Sequence, residues 1–199
     1  MKLALVVVAL IAALTVPAGL LLTRDGGEPD FSGSQPPGSL TLPNFELRAD
    51  DGSVVRSAEL RNKALAITFL DAQCKDACPI IAAQIGQAMR ALGDDRNEFE
   101  ALAISVDPLR DTPARVQAFL ARYRAKGALR YLNGTVGELR PIWSAFAVAA
   151  SHDTGDSNMH SAPVRVYDGK GRWRSTLHPG VDLTAAALVH DLRTALAAS

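Results

Sequence analysis

Two cysteines are the residues of this chain whose type and spacing could do chemistry. Cys74 and Cys78 are separated by three residues, and Pro79 follows the second. Three residues across a strand-to-helix turn can bring two sulfurs close enough to bond to each other or to hold one metal ion. An inert structural disulfide is a third interpretation, since exported proteins carry such bonds. That interpretation is weakened because the disulfide would close a very short loop, and in the loop-entropy model short loops restrict the unfolded chain less than long ones.

The expected surroundings of Cys78 favour a reactive thiolate. Cys78 is predicted to lie at the start of a helix, where unpaired backbone N–H groups and the helix dipole stabilise negative charge. Lys75 adds a nearby positive charge in the same direction. A thiolate is both a nucleophile and a soft metal ligand, so the pair is a candidate for redox chemistry and for metal binding.

A metal held by two thiolates usually needs a further ligand, and two thiolates with an imidazole suit copper well and zinc acceptably. Of the four histidines, His190 is expected on the polar side of the last helix beside Asp191, and His178 in a surface loop. His152 lies in a polar loop with no defined role. His160 ends that loop just before a predicted strand, which would position it firmly. On spacing alone His160 is only a candidate for the further ligand, because histidine also serves many roles without a metal.

The neighbouring polar residues have simpler interpretations. Asp107 is predicted to lie in a turn and Asp111 to cap a helix. Asp76, between the cysteines, is expected to be exposed to solvent. Met159 could offer a weak thioether contact to copper beside His160, but packing next to the loop is the simpler role for a flexible methionine.

The elements that must position these residues alternate between strands and helices. Strand patterns cover residues 45–48, 53–55, 64–70, 99–106, 129–132, 163–168 and 172–177. Helical spacing covers residues 78–92, a helix opened by 111–113, the segment 139–146 and residues 183–197. This order predicts an α/β fold with helices covering a mainly parallel sheet. A cysteine pair between the first long buried strand and a helix is typical of a thioredoxin-type fold.

The N-terminus predicts export. Residues 3–22 carry no charge, lie between Lys2 and Arg24, and would span about 30 Å as a helix, the hydrocarbon thickness of a bilayer. A signal peptide cleaved after Ala18 is one interpretation, and a retained signal anchor is favoured by the length of the run. We therefore expect an anchor or signal peptide in residues 1–23, a flexible Gly- and Pro-rich linker in 24–39, and one folded domain in 40–199.

Composition excludes several classes of protein. The 199 residues include 21 basic and 21 acidic side chains, so the basic surplus of a nucleic-acid-binding protein is missing. A hydrophobic content of 48% is too high for a disordered chain. Two cysteines are too few for a disulfide scaffold or a four-cysteine zinc site.

Three separated motifs resemble those of the SCO/SenC family, and the similarity extends over essentially the whole domain. They are Cys74-x-x-x-Cys78-Pro79, the stretch Ser-Val-Asp-Pro-Leu-Arg-Asp-Thr-Pro at 105–113, and His160-Ser161 before a strand ending Tyr167-Asp168-x-x-Gly171. The resemblance implies a domain with a thioredoxin-like fold. It also implies that this domain is anchored outside the cytoplasmic or inner mitochondrial membrane. It also implies a role in assembling the dinuclear copper-A centre of cytochrome c oxidase, with Cys74, Cys78 and His160 as copper ligands.

The chain departs from the family pattern at the rim of the site. Lys75 stands where a proline is usual, residues 71–73 replace an aromatic-Thr-x sequence, and Met159 replaces a commonly acidic residue. These changes leave the three implied ligands intact and bear on metal affinity and choice of partner.

Two functions therefore stay open. The first is a membrane-tethered copper metallochaperone that passes a copper ion to the copper-A-bearing subunit of cytochrome c oxidase or exchanges it with another copper chaperone. The second is a thiol–disulfide oxidoreductase in which Cys74 and Cys78 form the catalytic redox pair and no histidine is needed. A peroxidase of the peroxiredoxin type is disfavoured, because the Thr-Pro-x-x-Cys context is missing. No nucleic-acid partner is expected.

Overall fold

A computed structural model describes residues 29–149 and 162–199 of the chain. The predicted anchor, the first part of the predicted linker, His152, Met159 and His160 lie outside these residues. Among the described residues, none of the helices is long and apolar enough to cross a bilayer.

Seven strands of the described residues form one sheet in the order β2-β1-β5-β4-β3-β6-β7. They are β1 Glu46–Ala49, β2 Val54–Arg56, β3 Ala64–Leu70, β4 Phe99–Ser105, β5 Arg130–Asn133, β6 Val164–Tyr167 and β7 Trp173–Leu177. Each lies within one or two residues of a strand predicted from the sequence, so the alternation of strand and helix patterns is confirmed.

Helices cover both faces of this sheet. They are α1 Ala77–Ala91, α2 Pro113–Arg122, α3 Val136–Ala145 and α4 Ala185–Ala197, with short 3-10 turns at Ser57–Leu60 and Gly93–Glu98. Apolar residues of α1, α2 and α4 share one core cluster, and those of α3 belong to the cluster on the opposite face. The cysteine pair belongs to the first of these clusters.

The central strand β3 shows why an apolar run folds this way. All seven of its residues are buried, because helices cover both faces of the sheet. Alternate side chains enter the two cores: Ala66 and Leu70 face the cluster that contains α1, while Ile67 and Phe69 face the one that contains α3. Ala66 and two isoleucines of α1 belong to the first of these cores.

The sheet is mixed, so the expectation of a mainly parallel sheet is wrong. Only β3–β4 and β4–β5 are parallel among the described pairings. The pairs β1–β2, β1–β5, β3–β6 and β6–β7 are antiparallel. Tight turns join β1 to β2 and β6 to β7, and a tight turn can join only antiparallel strands. The carboxyl ends of β3, β4, β5 and β7 still meet at one edge, beside the beginning of β6.

The compact unit begins at Phe31, about nine residues before the predicted boundary at residue 40. Phe31 is buried in the core, and Ser34 pairs with Thr176 next to the end of β7. Gly33 permits this close approach, since a Cβ there would lie 2.5 Å from the carbonyl oxygen of Thr176. The glycine that suggested a flexible linker instead allows two backbones to touch.

A buried aspartate fixes this N-terminal segment to the domain. Asp191 of α4 is fully buried and accepts hydrogen bonds from the backbone N–H groups of Ser32, at 2.7 Å, and Gly33, at 3.1 Å. The hydroxyl of Ser175 also donates to it. The prediction that Asp191 lies on a solvated helix face is therefore wrong, because its partners come from distant parts of the chain. His190, by contrast, is exposed as expected.

Candidate metal centre

The structure brings the two cysteines together at the edge where the parallel strands end. Cys74 lies four residues after the last residue of β3, and Cys78 is the second residue of α1. Cys74 is 6% exposed, Cys78 is fully buried, and both are thiols. The two side chains are hydrogen-bonded to each other. They are therefore close enough to share one metal ion or to form a disulfide.

The expected thiolate at Cys78 is not favoured by this environment. The hydrogen bond with Cys74 and burial in the core both raise the pKa of the Cys78 thiol above its ordinary value. The negative charge of the nearby Asp71 acts in the same direction. Lys75, which was expected to favour the thiolate, is exposed. The effect of the start of α1 is thus outweighed by the hydrogen bond with Cys74 and by desolvation, and the thiol keeps its proton until a cation compensates the charge.

Hydrogen bonds of backbone N–H groups fix the loop of residues 71–76, which carries Cys74 and leads into Cys78 at the start of α1 and is hereafter called the cysteine loop. The N–H of Gln73 donates to the Asp71 carboxylate at 2.7 Å, and the N–H of Cys74 donates to the Asp71 carbonyl at 3.1 Å. The N–H of Ala72 donates to the carboxylate of Asp111 at 2.9 Å. Three successive backbone donors are therefore satisfied before the chain enters α1.

Asp111 is a buried member of the site and not the predicted helix cap. Thr112 caps α2 by accepting the N–H of Arg115 at 3.4 Å. Asp111 is 1% exposed, and its Oδ2 lies 2.6 Å from the Ser105 hydroxyl and 2.7 Å from the Tyr131 hydroxyl. Burial raises the pKa of its carboxyl to about 6. Helix-cap statistics cannot reveal this role, because Tyr131 is distant in sequence.

Buried acidic side chains lie near the thiol pair, and Arg110 is a cation that faces two of them. The Asp71 side chain is fully buried, and its Oδ2 lies 3.6 Å from an Arg110 guanidinium nitrogen. The same guanidinium forms an ion pair with Asp107, which is predominantly buried. One half-exposed arginine thus faces two carboxylates, with Asp111 close behind them. The sequence signal for Asp71 was a single acid directly after an apolar strand.

Three other polar residues considered from the sequence lie at the surface. Asp76 is exposed, as predicted. His178 and His190 are exposed and lie outside the core cluster that contains the cysteines. The described residues contain no group of three or more His, Cys, Asp or Glu side chains arranged to hold a metal ion. Ala162, two residues after His160, is buried in the same cluster as Cys74 and Cys78.

A separate groove of about 670 Å³ opens beside β1 and the end of β5. Asp111 and Tyr131 reach it from the interior, while the thiols do not line it. Its Asp50 carboxylate accepts hydrogen bonds from Gln117 and from the backbone of Tyr131, both at 2.8 Å. The groove is therefore separate from the thiol pair, and its Asp50 carboxylate is already hydrogen-bonded by the protein itself.

A mixed sheet with helices on both faces and a buried cysteine pair after the first long strand defines a thioredoxin-like α/β protein. The family model described as SCO1/SenC matches residues 33–197. The chain belongs to the SCO1/SenC family.

Individual relatives agree with this assignment. The copper-bound structure of Bradyrhizobium japonicum ScoI is 29% identical, with a TM-score of 0.67 over 78% of this chain and 99% of that one. A SCO2-like protein of Rickettsia prowazekii is 26% identical over 73% of this chain and 72% of its own length. The fold also matches BsSco, described as a member of the Sco family of cytochrome c oxidase assembly proteins, at 20% identity, covering 83% of this chain and 99% of that one with a TM-score of 0.68.

Proposed function

We propose that this chain is a membrane-tethered, extracytoplasmic copper metallochaperone that assists assembly of the copper-A centre of cytochrome c oxidase. One copper ion is its cargo, held by Cys74, Cys78 and His160. The observation that carries the proposal is the buried, mutually hydrogen-bonded thiol pair near the buried carboxylate of Asp71. A homologue of the same family, ScoI of Bradyrhizobium japonicum, has been solved with copper bound.

The register of the sheet supports His160 as the third ligand. Strands β3 and β6 are antiparallel, with Ile67 opposite Arg165. The carboxyl end of β3 therefore lies at the same edge of the sheet as the beginning of β6. His160 is two residues before Ala162, and consecutive Cα atoms are about 3.8 Å apart. The chain thus enters β6 at the edge that holds the cysteine loop. In this proposal His160 supplies its imidazole to the copper ion from that entry.

The ligand chemistry suits copper as a transferable cargo. Soft thiolates favour monovalent copper, and an imidazole completes a three-ligand site without adding charge. Because the Cys78 thiol is protonated before copper arrives, binding releases a proton, and an acceptor with deprotonated ligands can take the ion by exchange. In this proposal the uncharged run in residues 1–23 anchors the chain, and residues 24–30 connect it to the domain.

A thiol–disulfide oxidoreductase is the second candidate, and the mutual hydrogen bond of the two thiols is the observation that favours it. One thiolate would attack a target disulfide, and the other would resolve the mixed disulfide, leaving the target reduced and Cys74 joined to Cys78. The raised pKa of the Cys78 thiol lowers the thiolate fraction available for attack. A bound copper ion compensates the charge of a buried thiolate and a target disulfide does not, so the site supports copper transfer better.

A transfer assay with an apo copper-A domain separates the two functions. We expect two equivalents of the reduced, copper(I)-loaded full chain to deliver their ions to that domain, which then shows the visible absorption of a copper-A centre when ferricyanide removes one electron from the filled dinuclear site. The His160→Ala variant should lose this transfer and still reduce the oxidised cysteines of the domain. If both proteins only reduce the domain and neither delivers copper, the oxidoreductase is the correct function.

A further inference from the structure

The cysteine loop depends on one carboxyl group that comes from outside it. Asp71 satisfies the N–H groups of Gln73 and Cys74 from within the loop. The N–H of Ala72, by contrast, is satisfied by Asp111, which is 39 residues away in sequence. The Asp111 carboxyl is therefore a direct polar link between the cysteine loop and the segment that follows β4.

Asp111 is itself held from two neighbouring strands. Ser105, the last residue of β4, donates its hydroxyl to Oδ2 at 2.6 Å. Tyr131 of β5 brings its hydroxyl within 2.7 Å of the same oxygen and within 2.7 Å of the Leu70 carbonyl at the end of β3. The side-chain amide of Asn133 donates to the Asp111 backbone carbonyl at 2.8 Å. The carboxyl is thus braced by β4 and β5 and cannot shift without breaking buried hydrogen bonds.

We propose that Asp111 is a positioning residue for the thiol pair: through Ala72 it fixes the backbone of the cysteine loop and so the separation of the Cys74 and Cys78 sulfurs. The proposal rests on the proposed function of the pair in holding copper, and it deepens that function. Asp111 touches neither sulfur in this role. It acts by holding the two thiols close together, so that the effective concentration of each thiol near the other is high.

Disulfide formation measures this effective concentration without copper. Oxidised glutathione joins the sulfurs of Cys74 and Cys78, and the two electrons and two protons they lose convert the glutathione disulfide to two reduced glutathione molecules. The equilibrium constant of this exchange falls when the two thiols are held less closely together. The copper dissociation constant, measured by chelator competition on the same proteins, reports the same geometry.

The experiment compares variants of the full chain, each checked for folding by circular dichroism. Asp111→Ala removes the acceptor of the Ala72 N–H and should lower the equilibrium constant at least about tenfold, which makes the two-electron potential about 30 mV more positive. It should also weaken copper binding. Asp111→Asn should recover most of this loss, because its amide oxygen can accept the Ala72 N–H and its amide N–H groups can face Ser105 and Tyr131.

Asp191→Ala is the matched control. Asp191 is another fully buried aspartate that accepts backbone N–H groups and a serine hydroxyl. Its loss should lower stability while leaving the thiol equilibrium within about twofold of the wild type. If Asp111→Ala does not fold, Tyr131→Phe removes only the bracing hydroxyl and should shift the thiol equilibrium in the same direction by about threefold.

Three results would overturn the positioning role. The first is an equilibrium constant for disulfide formation in Asp111→Ala that equals the wild-type constant, or the same result in Tyr131→Phe where Asp111→Ala does not fold. The second is a constant in Asp111→Asn as low as that in Asp111→Ala. The third is a decrease in Asp191→Ala as large as that in Asp111→Ala. The second would assign the effect to charge, and the third to general loosening of the fold. A wild-type chain that binds no copper would instead contradict the proposed function, and the disulfide comparison would still decide the role of Asp111.

Discussion

Cys78→Ser should abolish tight copper binding, with an affinity at least about a thousandfold lower than that of the wild type, or roughly 4 kcal/mol. A serine hydroxyl has nearly the size of a thiol but is a hard donor that stays protonated at neutral pH, so it cannot replace a thiolate on monovalent copper. Because Cys78 is fully buried, no water can take its place without opening the core. Competition with a copper(I) chelator under anaerobic conditions measures the loss.

The matched control for this change is Ala82→Ser. Ala82 lies one turn further along α1, is fully buried, and belongs to the same core cluster as Cys78. This variant also buries a hydroxyl in the helix, so it reproduces the cost in stability without touching a ligand. Copper affinity near the wild-type value in Ala82→Ser, beside its loss in Cys78→Ser, would assign the effect to the sulfur. Equal losses in both variants would contradict the ligand role.

Copper affinity should fall continuously as the pH is lowered from 9 to 6, by about tenfold per pH unit for each proton that binding displaces. The direction follows from the raised pKa of the Cys78 thiol. Below that pKa the thiol is protonated, so copper must displace the proton, and each lower pH value makes this displacement less favourable. A thiolate stabilised by the start of a helix would behave differently, because affinity would become constant above its lowered pKa.

Proton release provides a direct measurement of this effect. Calorimetric copper titrations of the reduced chain, carried out in buffers of different ionisation enthalpy, give the number of protons released per copper at each pH. We expect at least one proton throughout the range in the wild type and fewer in Cys78→Ser where any binding persists. Affinity that is constant between pH 7 and 9, with no proton release, would show that Cys78 is already a thiolate in the folded chain.

The arrangement of strands and helices could be predicted because it depends on local periodicity. The run 64–70 is buried on both faces, and the isoleucines at 81 and 85 point one helix face into the core. Strand direction could not be obtained in the same way. The mixed sheet follows from which strands become neighbours, and that choice is made by packing across the whole domain.

Buried polar residues were the ones that local patterns misplaced. Asp111 and Asp191 each lie where a helix pattern predicts a cap or a solvated face, but each is buried by partners from distant segments. Gly33 indicated a linker because composition does not show which backbone it touches. The cysteine pair was found because its chemistry depends on residue type and short spacing. The direction of the pKa shift of Cys78 could not be predicted, because it depends on the hydrogen bond with Cys74 and on burial in the folded chain.

An anaerobic copper(I) titration of the reduced full chain and its His160→Ala variant tests the central claim most directly. We predict one tightly bound copper per wild-type chain and an affinity lower by at least about a hundredfold in the variant. That result would establish a site made of two thiolates and one imidazole. Equal tight binding by both proteins would contradict His160 as a ligand, and no tight binding by either would contradict the copper site itself.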